Sequence, residues 1–196
     1  SAYALTGLSG TALAQAIAFV ADLKGRPSHD IVLDAVRALR SLQHRGATNA
    51  EPNTGDGAGL MIQVPDRYFR SVIADLPAAG SYATGMAFLP RDDSRRVKAQ
   101  AAVARIIDEE GLDLVAWRTV PTDPSSLGQQ ALSVMPAFEQ LVVASPQGLM
   151  GLDLDRQVYL ARKRIEHQVP EEIGATIYFP SLSSRTFVYK GMLTTP

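Results

Sequence analysis

Two short polar clusters hold the side chains best suited to chemistry: Gln43-His44-Arg45-Gly46-Ala47, then Asn53-Thr54-Gly55-Asp56-Gly57-Ala58-Gly59. An arginine such as Arg45 carries a planar fork of donors that can steady developing negative charge. It can equally satisfy the last carbonyls of a helix that ends just before it. Asp56, by its residue type and setting, reads as a turn-former. The glycines permit positive φ and close backbone approach. Two phosphate-binding patterns are excluded. No Gly-Lys-Ser/Thr follows the cluster, so it is not a P-loop. A strand is expected after it where a dinucleotide fingerprint needs a helix. A third segment, Ser181-Leu182-Ser183-Ser184-Arg185-Thr186-Phe187-Val188-Tyr189-Lys190-Gly191-Met192-Leu193-Thr194, is long and not low-complexity. Its Arg185 and Lys190 read either as an anion site or as strand residues on alternating faces, solvated or pairing with the body of a larger enzyme.

The elements that must position these residues follow from periodicity. Residues 1–14 read as a loose leader. The apolar run Ala16 to Leu23 suits a buried strand. Ser28 can cap a helix in which Ile31, Val32, Ala35, Leu39 and Leu42 recur on one face. Strands are expected over residues 60–64, 82–89, 112–120 and 138–144. Helices are expected from Pro65 to Leu76, from Asp93 to about Glu110 with Val97, Ala101, Ala104 and Ile107 inward, and from Leu152 to His167 with Leu154, Val158, Ala161 and Ile165 inward. Residues 175–182 and 186–192 read as two strands joined by a tight Ser183-Ser184 connection, a hairpin. This mixture argues an α/β or α+β class. Residues 15–196 read as one domain, without repeats or a linker. Trp117 reads as core, His44 as structural, and Arg162-Lys163-Arg164 as a solvated face with an i,i+4 pair from Arg162 to Glu166.

Bulk properties narrow the function classes. Of 196 residues, 46% are apolar and 20% charged, an ordinary globular balance. The net charge of −1 provides no electrostatic footprint for nucleic acid or an anionic membrane. There is no cysteine, which excludes disulfides, thiolate metal sites, iron–sulfur ligation and a cysteine nucleophile. The three histidines stand far apart, so no zinc site is expected. The longest apolar run, Ala12 to Ala21, is too short to span a bilayer and lacks a basic flank before it. A cytoplasmic protein is expected.

Taken in order, the motifs resemble a known family. Asp22-Leu23-Lys24-Gly25, Ser28-His29-Asp30-Ile31-Val32, Leu42-Gln43-His44-Arg45-Gly46-Ala47, Thr54 to Gly59, Gln63-Val64-Pro65, Tyr159 to Glu166 and the Ser181–Thr194 segment are colinear with class II glutamine amidotransferase domains of the glutamate synthase type. The similarity is weak between about residues 75 and 145. The resemblance implies an α+β, N-terminal-nucleophile hydrolase-like fold, an αββα sandwich of which this chain is the N-terminal half. It also implies a reaction. A cysteine at the head of the first strand attacks the side-chain carbonyl of L-glutamine, its own α-amine acts as the base, and the acyl-enzyme is hydrolysed to glutamate. The ammonia is delivered to 2-oxoglutarate elsewhere in the parent polypeptide. FMN and an iron–sulfur cluster belong to other domains of that parent, and no cofactor is expected in this chain.

Aligning Phe19-Val20-Ala21-Asp22 with the first strand of the family places Gln15 at the nucleophile position. Arg45 then matches the arginine that orders the nucleophile, and Gly46 and Asp56 match substrate-side positions. A carboxamide nitrogen is delocalised and a very poor nucleophile, and a preceding leader leaves no free amine at residue 15. The resemblance also places the glutamine-carboxylate arginine and an Asn-Gly oxyanion pair after the Lys-Gly-Met-Leu segment, outside this sequence. The chain is therefore expected to be inactive alone, with the rest of a glutamate synthase polypeptide or a second copy of itself as partner, and neither nucleic acid nor membrane. Two rivals stand beside this reading: a non-catalytic interaction or scaffold module, and a hydrolase that uses Ser1.

Overall fold

The computed structural model describes residues 2–7, 16–41 and 57–192. Strand β1 (Ala2–Gly7) lies within the stretch read as a loose leader and pairs antiparallel with β2 (Ala16–Ala21), Gly7 opposite Ala16 and Ala2 opposite Ala21. Helix α1 (His29–Ser41) follows and lies against β2. Then come β3 (Gly57–Gln63), α2 (Asp66–Val72), β4 (Tyr82–Leu89), α3 (Asp93–Glu109), β5 (Asp113–Thr119), α4 (Gln129–Val134), β6 (Ala137–Ala144), α5 (Gly151–Ile173) and β7 (Thr186–Met192). Strands β3 and β7 form a two-stranded sheet, and β4, β6 and β5 a three-stranded one in that order.

The described residues divide into two compact units. One comprises residues 2–7, 16–41, 57–60, 124–134 and 190–192, and the other residues 61–123 and 135–189. The second unit is built on β6. Its run Phe138–Ala144 is apolar enough to be buried on both faces, so it takes the central place, antiparallel to β4 and to β5. A register shift between Leu114 and Ala116 marks a bulge in β5.

Period-two alternation sends β4 side chains to two cores. Ala83, Ala87 and Leu89 join α3 and α5 in one apolar cluster, with Leu141 and Val143 of β6. Tyr82 and Met86 face the other way, with Val142, Phe69 of α2 and Phe187 of β7. Phe69 and Phe187 meet edge to face at 5.3 Å, and Phe187 meets Tyr189 at 4.7 Å. Helix α5 buries Leu154, Val158, Ala161, Ile165 and Val169, the expected stripe continued by one turn. It runs through Pro170 to Ile173 because a proline near the C-terminus removes only one helical bond, and Gly174, at φ 61°, closes the helix on Pro170 O.

Helix α3 corrects the expected stripe. Ala99, Ala102, Val103, Ile106 and Ile107 are buried, whereas Val97 is 62% exposed. The helix is rich in alanine, so several stripes are nearly equal in apolar area. Packing against α5 and the sheet selects the one bearing Val103 and Ile106. Its start is as local chemistry dictates: the Asp92 carboxylate accepts the Arg95 N–H at 2.8 Å.

The hairpin is a second correction. Residues 175–182 do not form a strand with β7. They run beside β4 and touch it at two isolated bridges, Phe88 with Tyr178 and Thr84 with Ser183. Pro180 lies between these points and has no N–H to donate. Gly85 lies opposite, and a Cβ there would sit 2.0 Å from Ser181 O. The missing side chain lets the two backbones approach. The run Arg162-Lys163-Arg164 is not simply a solvated face either. Arg162 bonds Phe179 O and Pro180 O and stacks over Tyr159, with Glu166 at 3.9 Å. Arg164 reaches across to Glu109 at the end of α3 and to Glu110 just after it.

Candidate functional site

Gln15, Arg45, Gly46 and Asp56 lie outside the described residues, as do Ser1 and His44. The elements that flank the four candidate positions are described; β1, β2, α1 and the first four residues of β3 fall in the first compact unit. Strand β2 begins at Ala16, immediately after Gln15, and its pairing with β1 sets the direction in which the chain enters it. After β2 the chain turns on Asp22, whose carboxylate accepts Lys24 N–H at 2.7 Å and both Nε and Nη2 of Arg26. The Arg26 hydrogen bonds, followed by the Lys24 N–H, hold the Asp22 carboxyl below its ordinary range. Ser28 Oγ then accepts Asp30 N–H at 3.1 Å, and α1 runs to Ser41, four residues before Arg45. Strand β3 starts at Gly57, next to Asp56, and a Cβ on Gly57 would lie 3.7 Å from Gly191 O.

The Ser181–Thr194 motif is held by a carboxylate that sequence reasoning missed. Asp155, in the second turn of α5, accepts Ser184 N–H at 2.6 Å, Ser183 Oγ–H at 3.1 Å and Arg185 Nε–H at 2.9 Å. Ser183 Oγ in turn accepts the Arg185 and Thr186 N–H groups, and Ser184 Oγ–H donates to Gly151 O. Burial pushes the Asp155 carboxyl up, but the Ser184 N–H, the Arg185 guanidinium and the serine hydroxyls outweigh it and hold the group below the usual carboxylate range. Arg185 is thus engaged by Asp155. The contact joins positions 29 residues apart, and no local pattern announces it. Trp117 packs against the core, as expected.

A second polar arrangement, also missed, runs from the interior of the three-stranded sheet to its surface. Thr84, wholly buried, donates from Oγ1 to Leu141 O at 2.9 Å and accepts Gln140 Nε2–H at 2.9 Å. Gln140, 1% exposed, accepts Arg118 Nη1–H at 3.3 Å, and Arg118 Nη2–H donates to Tyr68 OH at 3.2 Å. Among the described residues no group of three or more histidine, aspartate and glutamate side chains is arranged to hold a metal. None of their helices is long and apolar enough to cross a membrane.

Helices α3 and α5 back the antiparallel β4-β6-β5 sheet of the second unit, and the Ser183-Ser184-Arg185 turn leads into β7. The family model for glutamine amidotransferases class-II matches residues 16–196, beginning at the residue after Gln15. The chain belongs to the class II glutamine amidotransferase family. Among curated relatives it is 38% identical over 181 residues to the glutamate synthase [NADPH] large chain of Bacillus subtilis, covering 91% of this chain and 12% of that protein. It is 40% identical over 183 residues to the chloroplastic ferredoxin-dependent glutamate synthase of Oryza sativa, covering 90% and 11%. It is 34% identical over 183 residues to the glutamate synthase [NADPH] large chain of Azospirillum brasilense, covering 90% and 12%. The chain therefore spans roughly a tenth of the length of these relatives.

Proposed function

We propose that this chain is the first part of the glutaminase (amidotransferase) domain of a glutamate synthase, and that it does not turn over glutamine as written. The observation that carries the assignment is the colinear identity of 38–40% with proteins named glutamate synthase over some nine-tenths of the chain. The parent reaction is hydrolysis of L-glutamine to glutamate, with the ammonia delivered to 2-oxoglutarate in a cytoplasmic enzyme. The matching fold is an incomplete αββα sandwich. It is supported by α3 and α5 packing on one face of the β4-β6-β5 sheet and by Phe187 and Tyr189 of β7 packing on the other, within the second unit.

Inactivity rests on residue 15. At the head of β2 the family mechanism needs a thiolate and a free α-amine. Gln15 offers a resonance-stabilised carboxamide, and its nitrogen is tied up in a peptide bond to Ala14. On this reading Arg45 matches the family's electrostatic group without a nucleophile to order, and Gly46 and Asp56 match its substrate-side supports. The test is to incubate the purified chain with L-glutamine and assay glutamate. No release above background is expected. Clear turnover that a single substitution abolishes would overturn the inactivity.

A second reading is favoured by Phe19 and Leu23, 63% and 85% exposed at and just after β2. Exposed apolar side chains beside a strand suit a non-catalytic interaction module that binds the rest of a synthase polypeptide or a second copy. Size-exclusion chromatography with light scattering separates the two readings. A stable monomer over a wide concentration range counts against self-association.

A further inference from the structure

The charge on Arg118 has no carboxylate partner among the described residues. By contrast, Arg96, which meets the buried Glu139 of β6, is neutralised by Glu139 and Asp93. Arg118 is instead held by two neutral acceptors, Gln140 Oε1 and Tyr68 OH, with its guanidinium carbon 5.9 Å from the Tyr68 ring centroid. Gln140 stands directly opposite Arg118 in the β5–β6 register and is itself fixed by Thr84, which is fixed by Leu141 O. Burying an amide and a hydroxyl in a sheet is costly unless each is bonded. Here both are bonded, and the chain they form ends on one guanidinium. That orients a half-buried cation without neutralising it. Tyr189 borders the same group: burial lifts its phenol above the ordinary range, the Tyr68 phenol adds to this and the Arg118 charge opposes it.

We propose that Arg118, clamped between Gln140 and Tyr68, is a binding position for a small free carboxylate. A guanidinium has five N–H donors, and the two bonds above leave three. Donors in that planar fork match the two oxygens of a carboxylate. The charge balance favours a monoanion over a phosphate dianion, because among the described residues no second basic side chain donates into the cluster. Pre-orientation by Gln140 lowers the ordering cost that a flexible arginine would incur on binding. The site lies in the second compact unit and does not depend on the glutaminase reading.

The probe is sodium acetate, titrated at constant ionic strength into the full chain while the Gln140 side-chain amide and the β5 and β6 backbone amides are followed by NMR. Saturable shifts centred on Arg118 and Gln140 are expected, with affinity at least about tenfold weaker in Arg118→Gln. Gln140→Glu supplies an internal carboxylate opposite Arg118. It should fold, judged by its backbone spectrum, and should no longer respond to acetate. Sodium chloride and inorganic phosphate run in parallel. Equal shifts with chloride, tighter binding of phosphate than acetate, or an unchanged response in Gln140→Glu would each overturn the proposal. A capped glutamyl amide tests the same group presented on a peptide. Saturation by that probe alone, with acetate inert, would also overturn the assignment to a free carboxylate.

Discussion

The carboxylate of Asp155 accepts the backbone N–H of Ser184 at 2.6 Å and so fastens the second turn of α5 to the turn that launches β7. The same carboxylate also takes Ser183 Oγ–H and Arg185 Nε–H, so one side chain organises three consecutive residues. Its side chain is only 13% exposed, which keeps water from replacing it easily. Asp155→Ala should therefore strand a largely buried N–H and a hydroxyl, and cost about 1–3 kcal/mol. Asp155→Asn keeps one acceptor and should cost less. Urea denaturation of the two variants beside the parent chain checks the order.

Acid should act through the same group. The Asp155 pKa is lowered in the folded state from an ordinary value of 3.8. A depressed carboxylate contributes stability that is fully present above the unfolded pKa and is lost as pH falls through the folded one. Stability should thus decline below about pH 4, and Asp155→Asn should flatten that decline while leaving the neutral plateau lower. Glu109 and Asp22 are also lowered, by Arg105 with Arg164 and by Arg26, but Glu109 is exposed and Asp22 pairs with an exposed arginine, so their share should shrink on adding salt. Melting temperature against pH at two salt concentrations separates the contributions.

Gly85→Ala tests the close approach of residues 178–183 to β4. The added methyl would meet Ser181 O at 2.0 Å, with Leu182 Cα at 3.2 Å. Neither is the tip of a flexible side chain, so the segment must move as backbone. A loss of about 3 kcal/mol or more is expected. Amide exchange should accelerate first at Thr84 and Ser183, whose N–H groups bond each other's carbonyls at 3.0 and 3.2 Å.

Thr84 and Gln140 should be strongly non-additive. Thr84→Val removes the acceptor of Gln140 Nε2–H inside the sheet, and Gln140→Leu removes the donor. Each change alone leaves a buried polar atom less satisfied, at about 1–3 kcal/mol for Thr84→Val. Made together they leave a shape-matched apolar pair. The double variant should be more stable than the sum of the singles predicts, by about 1 kcal/mol or more. Chemical denaturation of the four proteins closes the cycle.

Much of this was legible in the residues. Strand β4 spans Tyr82–Leu89 as expected, and the α5 stripe from Leu154 to Ile165 is the one its spacing indicates. Both are long, strongly patterned runs whose period decides their type. The family itself could be read from colinear motifs, and the match over residues 16–196 bears that out. Less was legible where local signals tie. The alanine-rich α3 could present several faces, and residues 175–182 carried strand-like residues without saying which strand they would meet.

By itself, then, the sequence determined the type of the long, strongly patterned elements, the family and the identity of residue 15, because these depend on short-range periodicity and on which side chain is present. Tertiary structure alone decided which face of α3 is buried, that residues 178–183 border β4 instead of β7, and that Asp155 and Arg118 hold the positions they do. Those outcomes turn on contacts between residues 22 to 57 or more positions apart. At such separations the deciding quantities are backbone distance and the satisfaction of buried donors, and neither is written in any local pattern.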